Sequence, residues 1–86
     1  MNGTSRELRW EILRLLIAQH PGTLTFDQLF SALRANDESL TKVELLTALT
    51  ALTRHNLAQR VPGDLFKPER YRVTSEGRAT FESGEN

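Results

Sequence analysis

A chain of 86 residues is long enough for one domain with one core, since a domain of this size buries only about 60–65% of the surface its unfolded form exposes. With 38% hydrophobic and 26% charged residues, the composition is too apolar for disorder and too polar for a membrane protein. Eleven basic and eleven acidic side chains cancel to zero net charge, which argues against binding nucleic acid through a general positive field.

The absence of cysteine excludes disulfides, thiolate catalysis and finger-type zinc sites, and makes a reducing cytoplasm the expected compartment. The longest apolar run, residues 15–18, falls far short of the ~20 residues that cross a bilayer. No basic segment followed by an apolar one opens the sequence, so no membrane anchor or secretion signal is expected.

The first expected element is a helix over residues 4–20. Leu8, Ile12, Leu15 and Leu16 fall on one side of a 3.6-residue helix and form its inward stripe. Thr4 and Glu7 have the spacing of a capping box, and Pro21 ends the helix because proline disfavours helical geometry in the residue before it. Residues 23–25 form a short β-prone link. A second helix covers residues 26–35, capped by Thr25 with Gln28 and facing inward through Phe26, Leu29, Phe30 and Leu33. A polar connector, residues 35–39, leads to a third helix over residues 41–55, opened by the box Thr41 with Glu44. Its expected buried stripe is Leu45, Leu46, Leu49 and Leu52.

Asn56 closes the third helix, since asparagine tolerates the left-handed conformation that follows many helices. From there the period changes to two. Residues 57–74 read as a β-hairpin with a long tip, turned through Pro62, Gly63 and Asp64. A short helix over residues 75–82, carrying Ala79 and Phe81, completes an α+β domain.

This order of elements is that of a winged helix-turn-helix. The chain resembles the MarR-like winged-helix DNA-binding domains in four segments: residues 9–16 (RWEILRLL), 24–33 (LTFDQLFSAL), 49–57 (LTALTRHNL) and 71–79 (YRVTSEGRA). It departs from them in a longer, acidic connector between helices 2 and 3, and in Asn56 standing where glycine is usual. The resemblance implies a small transcriptional regulator that binds double-stranded DNA as a homodimer. Helix 3 would enter the major groove and the hairpin, or wing, would meet the adjacent backbone or minor groove. A two-fold dimer matches half-sites about one helical turn apart.

On that expectation the reading residues of helix 3 are Lys42, Thr47, Thr50, Ala51 and Arg54. Small and hydroxylated side chains permit close approach, and arginine can contact guanine or phosphate. Glu44 counts against DNA, because it would repel phosphate, and the same face could be an ordinary solvated one. In the hairpin the candidates are Arg60, Lys67, Arg70 and Arg72, which equally fit protection of an edge strand by charge. Residues 54–78 hold six basic side chains (Arg54, Arg60, Lys67, Arg70, Arg72, Arg78) against three acidic ones (Asp64, Glu69, Glu76), so this half is locally cationic. Leu65 and Phe66, near the tip, either fold back on the core or remain exposed, and packing is the expected use.

Helix 1 carries a second apolar stripe, Trp10, Leu13 and Ile17. With Phe81 it is either a dimer interface or a surface that helix 4 covers within the monomer. His20 and His55 stand at helix ends and read as structural, and Asp37 with Glu38 reads as a solvated loop. No catalytic set, metal site or cofactor site is expected. The competing function is a protein-interaction module on the same scaffold, which zero net charge favours.

Overall fold

The computed structural model describes residues 6–84. Helix α1 (Arg6–Gln19) buries Leu8, Ile12, Leu13 and Leu16. Leu13 therefore replaces Leu15 in the expected inward set, and Leu15 is only half-buried. The reason is tertiary: α1 is packed by three other helices and a strand, described below, so its buried arc is wider than one stripe. The Thr4 capping box lies outside the described residues.

Strand β1 (Leu24–Thr25) runs directly into α2 (Phe26–Arg34). Both halves of the second capping box are present. The Gln28 amide donates to Thr25 Oγ1 at 3.1 Å, and the Thr25 amide donates to Gln28 Oε1 at 2.9 Å. Leu29 and Leu33 face the core, while the rings of Phe26 and Phe30 stack beside it with centroids 6.3 Å apart. The connector after α2 is ordered by Asp37, whose carboxylate accepts the Ser39 hydroxyl at 2.6 Å and the Ser39 amide at 3.1 Å. Those two bonds hold the Asp37 carboxyl below the usual carboxylate range. Leu40, at the end of the connector, is buried.

Helix α3 (Lys42–Arg54) begins with the third box, in which Glu44 and Thr41 exchange backbone bonds at 2.9 and 3.1 Å. Its buried residues are Leu45, Ala48, Leu49 and Leu52. Leu46 is 53% exposed, which corrects the expected stripe. At about 100° per residue, Leu46 lies roughly 90° from the centre of the arc formed by the other three leucines and Ala48 roughly 70° from it on the other side, and the packing falls on the Ala48 flank. At the C-terminus Asn56 has φ 61°, as its chemistry suggests. The Leu57 amide reaches the Leu52 carbonyl at 2.9 Å and the Asn56 amide the Thr53 carbonyl at 3.1 Å, completing a Schellman motif.

The sheet is antiparallel with strand order β1-β3-β2, where β2 is Ala58–Val61 and β3 is Arg70–Val73. The β-prone link expected at residues 23–25 is the two-residue β1, which joins the hairpin as the third strand by pairing with β3. Ala58 pairs with Val73, and Arg60 and Leu24 both pair with Tyr71. Tyr71 and Val73 point into the core. Helix α4 (Ser75–Ser83) is capped by Thr74, whose hydroxyl accepts the Gly77 amide at 2.9 Å and donates to the Asn56 carbonyl at 2.7 Å. One α+β core thus joins α1, α2, α3 and the inner sheet face. Among the described residues no helix is long and apolar enough to cross a membrane.

Candidate nucleic-acid interface

The core uses one side of α3 and leaves the other outward. Val43, Leu46, Thr47, Thr50 and Arg54 follow one another at helical spacing, and all are exposed. Val43 is 73% exposed, although large apolar side chains on a monomer surface usually occur singly. Thr47 donates its hydroxyl to the Val43 carbonyl at 2.8 Å, so its hydroxyl is turned back onto the helix. Thr53 does the same to the Thr50 carbonyl at 2.9 Å.

Two shallow grooves border this face. One, of about 330 Å³, is lined by Leu46, Thr47, Thr50, Ala51 and Arg54. The other, of about 260 Å³, runs between α3 and the hairpin and brings Leu46, Thr50 and Thr53 together with Arg60, Glu69 and Tyr71. Four of the expected helix residues therefore converge, and Arg60 joins them from the hairpin. Lys42 does not: it stands at the first turn of α3, with its ammonium 5.7 Å from the centre of the Phe30 ring.

The four hairpin cations are separated by strand register. Side chains alternate across a strand, so Arg60, paired with Tyr71, lies on the inner face at the α3 edge. Arg70 and Arg72 alternate with buried Tyr71 and Val73 and lie on the opposite face. There Arg72 donates to Gln59 Oε1 at 2.9 Å, while the Nε of Arg70 is buried without a hydrogen-bond partner. Lys67 belongs to the tip. The tip is built on Asp64, which accepts the amides of Phe66 and Lys67 at 2.8 and 2.9 Å. This turn holds Leu65 at 94% and Phe66 at 90% exposure, so of the two alternatives they remain exposed, against the expected packing on the core.

The acidic groups near α3 have partners. Glu44 is half-buried and its carboxylate is bonded back to Thr41. Glu69 forms an ion pair of 2.5 Å with Arg60 and accepts a long bond of 3.4 Å from the Tyr71 hydroxyl. Burial, and then the charge of Glu69, push the Tyr71 phenol above its ordinary value, so it stays protonated. A third groove, of about 280 Å³, has an apolar floor of Leu8, Leu33 and Leu40 with Glu7, Glu11 and Asp37 at its rim. Its charge is the wrong sign for phosphate.

The α1 stripe is divided as well. Leu13 is a core residue at 2% exposure, so it is withdrawn as an interface candidate. Trp10 and Phe81 stack with centroids 4.4 Å apart, so α4 covers the tryptophan within one chain. Trp10, Ile17 and Phe81 remain half-buried. His20 lies 3.3 Å from the Arg78 guanidinium and ties the end of α1 to α4. Among the described residues no group of three His, Cys, Asp or Glu side chains is placed to hold a metal.

Sequence reasoning missed Val43, Leu46 and Glu69. Glu69 was readable in part, since an acid among four cations invites pairing. Exposure of Leu46 follows only once Ala48 is counted as core. No protein-family model matches the chain, and no curated protein is found to be similar to it.

Proposed function

We propose that this chain is a winged-helix, MarR-like module that binds duplex DNA as a small transcriptional regulator, with α3 in the major groove and the β2–β3 hairpin as the wing. The observation that carries this reading is the outward face of α3. Val43, Leu46, Thr47, Thr50 and Arg54 are not needed by the core, and Arg60 stands beside them on the hairpin. A helix fits the major groove, and cations at its margin meet phosphates. In this reading Arg60 and Lys67 position the domain on the backbone, and Arg54 and Thr47 lie near base edges. Arg70 and Arg72, on the far sheet face, are not used.

The test is a salt titration against a duplex selected from a random pool and a scrambled duplex. Arg60→Ala weakens both alike and makes the salt slope shallower by about one unit. Arg54→Ala reduces the preference between the two duplexes more than it reduces general affinity. Arg72→Ala leaves both unchanged. A folded wild type without salt-dependent affinity for any duplex, even at low ionic strength, ends this reading.

Its replacement is then a protein-interaction module, which one observation favours: Leu65 and Phe66 stand almost fully exposed on an ordered tip of a chain with zero net charge. Neither reading assigns the chain a catalytic role.

A homodimer belongs to the DNA-binding reading, because two-fold symmetric sites are read by two-fold symmetric proteins. Its interface involves Trp10, Ile17 and Phe81. The expected outcome is a dimer mass by sedimentation at micromolar concentration, weakened by Ile17→Ala. A monomer at that concentration assigns the α1 and α4 contact to the fold alone.

A further inference from the structure

We infer that α3 reads thymine, through contact of Val43, Leu46 and Thr47 with the C5-methyl groups in the major groove, an inference that rests on the DNA-binding reading above. The middle of a recognition helix usually presents amides, guanidinium groups or carboxylates, which read the donor and acceptor pattern of base edges. This one presents none of them. Between Lys42 at its start and Arg54 at its end, the outward side chains are Val43, Leu46, Thr47 and Thr50.

Val43 and Leu46 offer only hydrocarbon, at 73% and 53% exposure. The Thr47 hydroxyl is bonded to the Val43 carbonyl. These central side chains cannot recognise guanine or adenine by paired hydrogen bonds, which leaves Arg54 alone to do so at the helix end. The one apolar feature that distinguishes base pairs in the major groove is the thymine methyl. Contact with it removes apolar surface from water on both partners, which favours association.

The charges match the same occupant. Arg60 borders the face on its hairpin side, where a phosphate row flanks the groove, and Arg54 closes its C-terminal end near the base edges. Glu44 is bonded back to Thr41, and Glu69 is paired with Arg60. The face is therefore apolar at its centre, with Arg54 at its end and the Arg60–Glu69 ion pair at its hairpin margin.

The experiment uses the full chain and a duplex selected from a random pool, prepared again with deoxyuridine in place of every thymidine. Deoxyuridine pairs identically and lacks only the methyl. Affinity for the uracil duplex is expected to fall about fivefold or more. Restoring single methyls should recover it at one or two positions rather than uniformly. Val43 and Leu46 are exposed, so Val43→Ala and Leu46→Ala leave folding intact, and each is expected to narrow the thymine-to-uracil ratio with an unchanged salt slope.

Equal binding of both duplexes with normal salt dependence overturns thymine reading while DNA binding stands. A ratio undiminished in both variants places the methyl contact elsewhere and overturns it too. Failure to bind any duplex removes the DNA-binding reading itself, and this inference with it.

Discussion

Replacing Leu49 by alanine is expected to cost about 2–5 kcal/mol, the range for truncating a leucine in a closed core. Leu49 is 1% exposed and lies midway along α3, between Leu45 and Leu52 on the buried side. Removing its branched end withdraws hydrocarbon from the core and leaves a cavity, because the flanking helix can only partly collapse into the space. The consequence is large for a chain of 86 residues, since small domains hold only about 5–15 kcal/mol against unfolding. A loss at the upper end leaves the chain largely unfolded. Leu46→Ala supplies the contrast. Leu46 is one turn away and 53% exposed, so its truncation is expected to change stability by no more than about 0.5 kcal/mol. Urea unfolding of the two variants beside the wild type decides the matter. A midpoint that moves for Leu46→Ala and not for Leu49→Ala would mean that α3 faces the other way, and the outward face argued above would not exist.

What was legible in the sequence is what a few neighbouring residues decide among themselves. The boxes at Thr25 with Gln28 and at Thr41 with Glu44 need only their own side chains and the first turn of their own helix. Asn56 needs only its own backbone conformation. The errors lie where a distant element decides. Leu13 is core rather than surface because α1 is packed on several sides, including by α4 from the far end of the chain. Leu46 and Ala48 exchange roles because a stripe read from large side chains passes over an alanine.

In the hairpin, strand alternation correctly puts Arg70 and Arg72 on one face, but it does not say on which side of the sheet Arg60 falls. Arg60, Arg70 and Arg72 are close in sequence, but pairing of Arg60 with Tyr71 puts it on the α3 side and the two others on the far side. Register is a property of two strands together, and a one-residue slip would have reversed the assignment. The tip is decided differently. Leu65 and Phe66 are apolar, which favours packing over exposure, but the Asp64 turn holds them outward.

Gly77→Ala is expected to destabilise the domain by about 1–3 kcal/mol, the range for forcing an added group into a closed contact. The sign is opposite to what helix propensity predicts, since alanine is ordinarily better than glycine in a helix by roughly 0.8–1 kcal/mol. Here the added methyl carbon would stand 2.0 Å from the Leu57 carbonyl oxygen and 2.9 Å from Val73 Cγ2. The nearer of these is backbone, which cannot rotate away as a side chain would. Nor can that backbone withdraw freely. The Leu57 carbonyl accepts the Thr74 amide at 3.2 Å, the Leu57 amide donates to Leu52 at 2.9 Å, and the Asn56 carbonyl accepts the Thr74 hydroxyl at 2.7 Å. Moving residues 56–57 breaks the closure of α3 and the cap of α4 together, and moving α4 instead lifts Phe81 from Trp10. The two helices and the start of β2 therefore share one contact that only glycine fits, and this contact sets where the hairpin leaves α3. Thermal unfolding provides the measurement: each kcal/mol lost should lower the midpoint by roughly 4–8 °C in a domain of this size. An unchanged or raised midpoint would show that α4 does not dock at Leu57, and that the groove between α3 and Arg60 is not held in place from below.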